Sequence, residues 1–328
     1  MNRVSAVKII GSIGLVISML LNGCTTNSIT DNNVSGNDLT ATEVIRLMGN
    51  GINLGNTLEA YNHKSYVELG VDPTSFETLW GQPVTTRDMI DDMKAMGFDT
   101  LRIPVAWTNG INYESGDYTI DERLMNRVDE VVNYALDADM YVILNEHWDG
   151  SWWGMFGSAD EAVREKGMAL YKSMWTQISE HFSDYSYKLI FESANEELCH
   201  RLNDSDVTGT EGVLSEDECY ETTNRINSEF VKLVRSTGGK NADRFLLIAG
   251  YNTDFRKTCD DRYQMPEDTA KDKLLLSVHY YTPWDYCSDG NAKRWGTPGD
   301  YEEQNSLFQM LTKFTDRGYG VVIGEYAV

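Results

Sequence analysis

Seven short apolar runs, separated by longer segments of helical periodicity, constrain this chain more than any other feature. The runs are 51–54, 100–105, 141–144, 189–191, 245–249, 274–278 and 320–323. Each is rich in β-branched or aromatic residues and bounded by turn residues, and near-continuous apolarity marks strands buried on both faces of a parallel sheet. Between them, Thr85 or Thr86 caps a segment in which Met89, Ile90, Met93 and Met96 share a face. Leu124, Val128, Val131, Val132 and Ala135 form a second stripe, and Leu170, Met174 and Ile178 a third. Ile226, Phe230 and Leu233 make a fourth that stops at Gly238-Gly239, and Leu307, Met310, Leu311 and Phe314 a last. Such alternation gives a parallel α/β fold. No GxGxxG follows the first run, so a dinucleotide-binding sheet has no support. Polar residues gather at the ends of many different runs, the habit of a (β/α)8 TIM barrel, whose strand ends share one face. The seventh run lies at the end of the chain, so the barrel is expected to be truncated before strand eight.

The flanking sequence speaks to location. Arg3 and Lys8 precede an apolar run from Ile9 to Leu21, followed by Leu21-Asn22-Gly23-Cys24. A charged start, a short apolar core and a small residue before the cut describe a signal peptide, and the run is short for a membrane span. The last four residues resemble a bacterial lipobox. Residues 1–23 are therefore expected to be a lipoprotein signal peptide and 24–40 a lipidated Cys24 with a Ser/Thr/Asn/Asp-rich flexible tether. Residues 41–328 form the folded domain. The expected product is an exported, extracytoplasmic lipoprotein at the cell surface or outer membrane. The full chain's net charge of −23 repels polyphosphates, which makes nucleic acid a poor candidate partner. Beyond Cys24, the remaining Cys199, Cys219, Cys259 and Cys287 allow three pairings or free thiols. Their spacing gives no structural zinc motif.

Chemistry collects where the runs end. The stretches are Gly51-Ile-Asn-Leu-Gly-Asn56, Leu101-Arg-Ile-Pro-Val105, Leu144-Asn-Glu-His-Trp148, Phe191-Glu-Ser-Ala-Asn-Glu-Glu197, Ser277-Val-His-Tyr-Tyr281 and Ile323-Gly-Glu-Tyr326. On a barrel they converge on one mouth. Glu196 and Glu325 then face each other as a pair of carboxylates, the equipment of glycoside hydrolysis. The stretches GINLGNTLEAY, WGQPVTT, GFDTLRIPVAW, YVILNEHWD, LIFESANEE, LLLSVHYYTPW and VVIGEYA, in this order, resemble glycoside hydrolase family 5, the old cellulase family A. The resemblance implies Glu196 as acid/base and Glu325 as nucleophile, with Arg102, His147, His279 and Tyr281 on the family's conserved polar positions. Two departures stand out. Glu197 occupies the usual Pro position after Asn-Glu, and the chain stops before the family's strand-eight Trp.

With the residues placed by this resemblance, Arg102 and Tyr281 are expected to favour an ionised Glu325, His279 to orient Glu196, and Asn195 to reach the sugar 2-OH, a contact that strengthens in the transition state. Asn56 and His147 are expected to bind substrate hydroxyls. Trp148, Trp152, Trp153 and Trp284 follow strand ends, where aromatic faces stack on sugars, and Trp148 and Trp284 are the chosen subsite candidates. His63, His181 and His200 carry no motif and are expected to be structural or surface residues. Neither a metal nor a cofactor is called for. The expected activity is a retaining endo-β-1,4-glucanase acting as a monomer on β-glucan polysaccharide. Its alternatives are a β-mannanase, a xyloglucanase or mixed-linkage glucanase, and a non-catalytic surface glycan-binding lipoprotein.

Overall fold

A computed structural model describes residues 36–288 and 292–327; Cys24 and the expected signal peptide and most of the tether lie outside the described residues. The seven runs become seven strands: β1 (Gly51–Asn53), β2 (Thr100–Ile103), β3 (Tyr141–Asn145), β4 (Leu189–Glu192), β5 (Leu246–Asp254), β6 (Leu274–Tyr280) and β7 (Gly320–Tyr326). They pair in parallel in sequence order, the strand arrangement of a (β/α)8 barrel. Leu101, Ile103, Val142, Leu144, Leu189, Phe191, Leu246, Ile248, Leu276 and Val278 are buried in one core. Continuous burial of β2, β3, β4 and β6 explains why those runs read as uninterrupted rather than alternating.

The helices lie where periodicity placed them, and their caps explain their starts. Thr86 caps Arg87–Ala95 by accepting the Met89 N–H, and Asp121 caps Glu122–Asp137, whose buried face is Leu124, Val128, Val131, Val132 and Ala135. Glu161–His181 buries Leu170, Met174 and Ile178. Glu216–Ser236 opens with a Ser215/Glu218 capping box. Two expectations change. Met96 falls past the end of its helix as the cap residue and is exposed. The last apolar stripe is divided between Pro298–Met310 and Thr312–Thr315, with Leu311 at the break. All four described cysteines are free thiols. Among the described residues no helix is long and apolar enough to cross a membrane.

Two irregularities aim side chains at the mouth. β5 runs beyond its apolar run, with Asn252 and Thr253 at φ of +53° and +47° and a register shift before Asp254 pairs with His279. In β7, Val278 opposes Ile323 but His279 opposes Glu325, so Gly324 is the extra residue of a bulge. A Cβ on Gly324 would come within 3.1 Å of both His279 Nε2 and Ser277 Oγ. Glycine is what lets β7 lie this close to β6 while Glu325 turns toward His279.

Candidate active site

The site is built around a guanidinium. Arg102 sits in an apolar strand and is 3% exposed, so its charge needs partners. Its Nε donates to Glu192 Oε2 at 2.7 Å, Nη1 to Asn53 Oδ1 at 3.0 Å and Glu325 Oε1 at 2.8 Å, and Nη2 to Asn195 Oδ1 at 2.8 Å. One side chain thereby joins β1, β2, β7, β4 and the turn after β4. Glu192, fully buried, also accepts Asn145 Nδ2 at 3.0 Å and Ser277 Oγ at 2.6 Å. Sequence reasoning missed Glu192. The signal was present: an acid ending the apolar Leu189-Ile-Phe run requires a buried cation, and Arg102 is the one in another apolar strand.

Glu325 accepts the Tyr281 hydroxyl at 2.8 Å on its other oxygen, 3.7 Å from His279 Nδ1. His279 Nδ1 lies 2.9 Å from Glu196 Oε1. One carboxylate oxygen each of Glu196 and Glu325 and one ring nitrogen of His279 all lie within 4.8 Å of one another. Burial alone would raise the Glu325 carboxyl. The opposing charges of His279 and Arg102, with the Tyr281 hydrogen bond, win and hold it down at about 2. His147, whose Nε2 is 4.0 Å from Glu325 Oε1, also counts among those charges. However, its own value falls to about 3 through burial and then through Arg102, so a neutral imidazole faces Glu325 near neutral pH and its share is discounted. Tyr281 is raised by burial and then by Glu325, which keeps its proton on the oxygen that donates.

Two cavities open beside the pair. One of about 430 Å³ is lined by Glu196, His200, Arg201, Asn252, Tyr281 and Trp284, among others. The other, of about 250 Å³, touches Asn56, Pro104, His147, Tyr281 and Glu325. A larger cavity of about 490 Å³ between β1 and β7 reaches Arg102 but neither Glu196 nor Glu325, so size does not mark the chemistry here. Asn56 is exposed, its N–H accepted by Glu59. Asn195, 4% exposed, gives its oxygen to Arg102 and so directs its amide nitrogen elsewhere. Trp148 and Trp284 are 41% and 57% exposed, as sugar platforms need to be. Trp152 and Trp153, at 0% and 1%, are core residues, contrary to the expectation from their loop. A 3-10 turn (Trp152–Gly157) folds them back to stack on each other at 4.4 Å and against Phe156. His63 is buried between Thr108 O and Glu114, and His181 pairs with Asp129 at the surface, as expected of structural and surface residues. His200 lines the larger of the two mouth cavities, a place its sequence context did not mark.

Residues 64–328 match the model of the family described as Cellulase (glycosyl hydrolase family 5). The chain belongs to glycosyl hydrolase family 5. This family 5 chain is 35% identical over 316 residues to an endoglucanase A of Paenibacillus barcinonensis, covering 88% of this chain and 73% of the relative. It is 33% identical to a xyloglucan-specific endo-beta-1,4-glucanase of Bacteroides ovatus, covering 91% of this chain and 59% of that one. It thus spans well under two thirds of some curated relatives. A broad specificity endoglucanase from Ruminococcus champanellensis, solved with bound cellotriose, superposes with a TM-score of 0.74 at 34% identity, over 88% of this chain and 80% of that one. Sequence and backbone thus agree on the family 5 glycoside hydrolase fold.

Proposed function

We propose that the protein is a retaining endo-β-1,4-glucanase in which Glu325 is the nucleophile and Glu196 the acid/base. The observation that carries this reading is the proximity of Glu196, His279 and Glu325, with one atom of each within 4.8 Å of the others. Retaining glycosidases hold their carboxyl groups about 5–5.5 Å apart, whereas inverting ones leave room for a water at roughly 6.5–9.5 Å. The electrostatics divide the labour: Glu325, held at about 2 by His279 and Arg102 against its burial, is ionised and able to attack the anomeric carbon. Glu196 passes its proton to the leaving oxygen, then accepts one from the water that releases the glycosyl-enzyme. The Tyr281 hydroxyl stays on Glu325 as its charge is consumed. Because the sugar becomes bonded to Glu325, the cavity with Asn56 and His147 takes the glycone, and the one with Glu196, Arg201 and Trp284 takes the leaving chain. The Asn195 amide nitrogen is directed to the 2-OH. The endoglucanase and cellotriose-bound relatives support β-1,4-glucan as the substrate class, with xyloglucan and mixed-linkage glucan as the nearest variants.

The test counts new reducing ends on barley β-glucan, carboxymethylcellulose, xyloglucan and mannan, and follows anomeric configuration by NMR. Cleavage of glucans with retention is expected, and Glu325→Gln should lower kcat on the order of 10,000-fold. Inversion, or a Glu325→Gln variant that turns over normally, would overturn the assignment. Binding without cleavage by the intact protein would favour a glycan-binding role.

A further inference from the structure

We propose that Glu197, which the chemistry itself does not use, is a positioning residue that fixes the leaving-group side of the cleft. The proposal rests on the glycosidase reading above. The Glu197 carboxylate, 3% exposed, accepts two backbone N–H groups from different turns: Oε1 takes that of Trp148 at 2.9 Å and Oε2 that of Asn195 at 3.0 Å. The turn after β3 carries His147 and Trp148; the turn after β4 carries Asn195 and Glu196. One side chain clamps them together.

Three observations give the clamp its purpose. Trp148 has a φ of +36°, a conformation a bulky residue holds only where its surroundings dictate it. Its N–H is held by Glu197 and its ring is covered by the Arg201 guanidinium at 4.3 Å. Arg201 in turn lines the cavity that also contains Glu196. Glu197 therefore sets both the acid/base turn and the Trp148–Arg201 stack beside it. Only a carboxylate of this length offers two acceptor-only oxygens to two diverging N–H groups. Two further buried carboxyls stand close. Asp149 accepts the N–H and the hydroxyl of Thr108. Glu146 takes the indole N–H groups of Trp152 and Trp153 at 3.3 Å on one oxygen. Burial raises Glu146 and Glu197 alike. In Glu197 the backbone donors and the nearby Arg201 oppose that rise, while Glu146 has no such cation beside it.

The test compares kcat/KM for cellotetraose, whose leaving group fills the Glu196 side, with that for 2,4-dinitrophenyl cellobioside, whose leaving group needs neither a proton nor that subsite. Glu197→Gln replaces one acceptor with a donor at nearly constant volume. It should lower kcat/KM on cellotetraose at least tenfold, and on the aryl glycoside at least five times less. In a Trp148→Ala background the cellotetraose loss should shrink by half or more. Equal losses on both substrates, wild-type values on both, or losses that multiply independently of Trp148 would overturn the proposal. If the wild-type protein cleaves neither substrate, the glycosidase reading fails separately. The clamp is then read by amide hydrogen exchange at Trp148 and Asn195: faster exchange in Glu197→Gln supports it, and unchanged exchange overturns it.

Discussion

His147 shows how one residue can serve the site and tax the fold. Burial and the adjacent Arg102 lower its value from about 6.5 to about 3. Between those values the unfolded chain binds a proton that the folded chain does not, so stability rises with pH across this window and is lost on acidification below about pH 6.5. Glu325 acts in the same direction over a lower range. Its folded value of about 2 lies below its ordinary 4.5, so its contribution is present above about 4.5 and fades as pH falls toward 2. The two are separable because His147 begins first. Denaturant unfolding at pH 7 and pH 5 should show the wild-type protein losing about 1–2 kcal/mol more than His147→Gln. Equal losses would mean that His147 is protonated in the folded protein and pairs with Glu325. The chemistry favours the neutral form, since a neutral imidazole can accept or donate one bond to a sugar hydroxyl without competing with Arg102 for Glu325.

At the scale of the strands, Arg102 is a fastener as much as a partner of Glu325. It bonds groups on β1, β4 and β7 and in the turn after β4 from its seat on β2. Removing it leaves Glu192, fully buried, without its cation. Breaking a buried pair from one side costs about 3–5 kcal/mol. Arg102→Met should therefore be destabilised by that order in urea unfolding, and adding Glu192→Gln should recover part of the loss. A double variant no more stable than the single would place the cost in lost packing instead. This network also marks how far the sequence could be read. The strands and helix faces were legible because burial on both faces gives continuous apolar runs and one-sided burial gives a 3.6-residue stripe. Glu196 and Glu325 were legible at strand ends through the family resemblance. Their mutual distance was not, because it depends on the Gly324 bulge, a local register shift that leaves no periodic trace. Trp152 and Trp153 misled because loop position does not reveal that a 3-10 turn folds the indoles inward onto Glu146. The Glu197 clamp was hidden for a related reason. Its partners are backbone N–H groups, which every residue except proline carries, so no residue type announces them.

The charge of the whole molecule acts on substrates before any subsite does. The chain has a net charge of −23, and the side of the cleft proposed for the leaving chain carries Arg201 and Arg256 beside Glu196 and Asp254. A neutral glucan meets only the local groups, because it has no charge for the long-range field to repel. Carboxymethylcellulose is a polyanion and meets both. At 0.01 M ionic strength the screening length is about 30 Å, comparable with a domain, and at 0.1 M it is about 10 Å. Repulsion by the whole protein should thus weaken between these conditions, while contacts inside the cleft change little. The expected outcome is that KM for carboxymethylcellulose falls severalfold from 0.01 to 0.1 M salt, while KM for barley β-glucan changes by less than about 1.5-fold. If the KM for carboxymethylcellulose rises instead, attraction to Arg201 and Arg256 dominates and the cleft, rather than the acidic surface, governs how charged glycans are received. That result would also shift the substrate assignment toward glycans that carry acidic side groups.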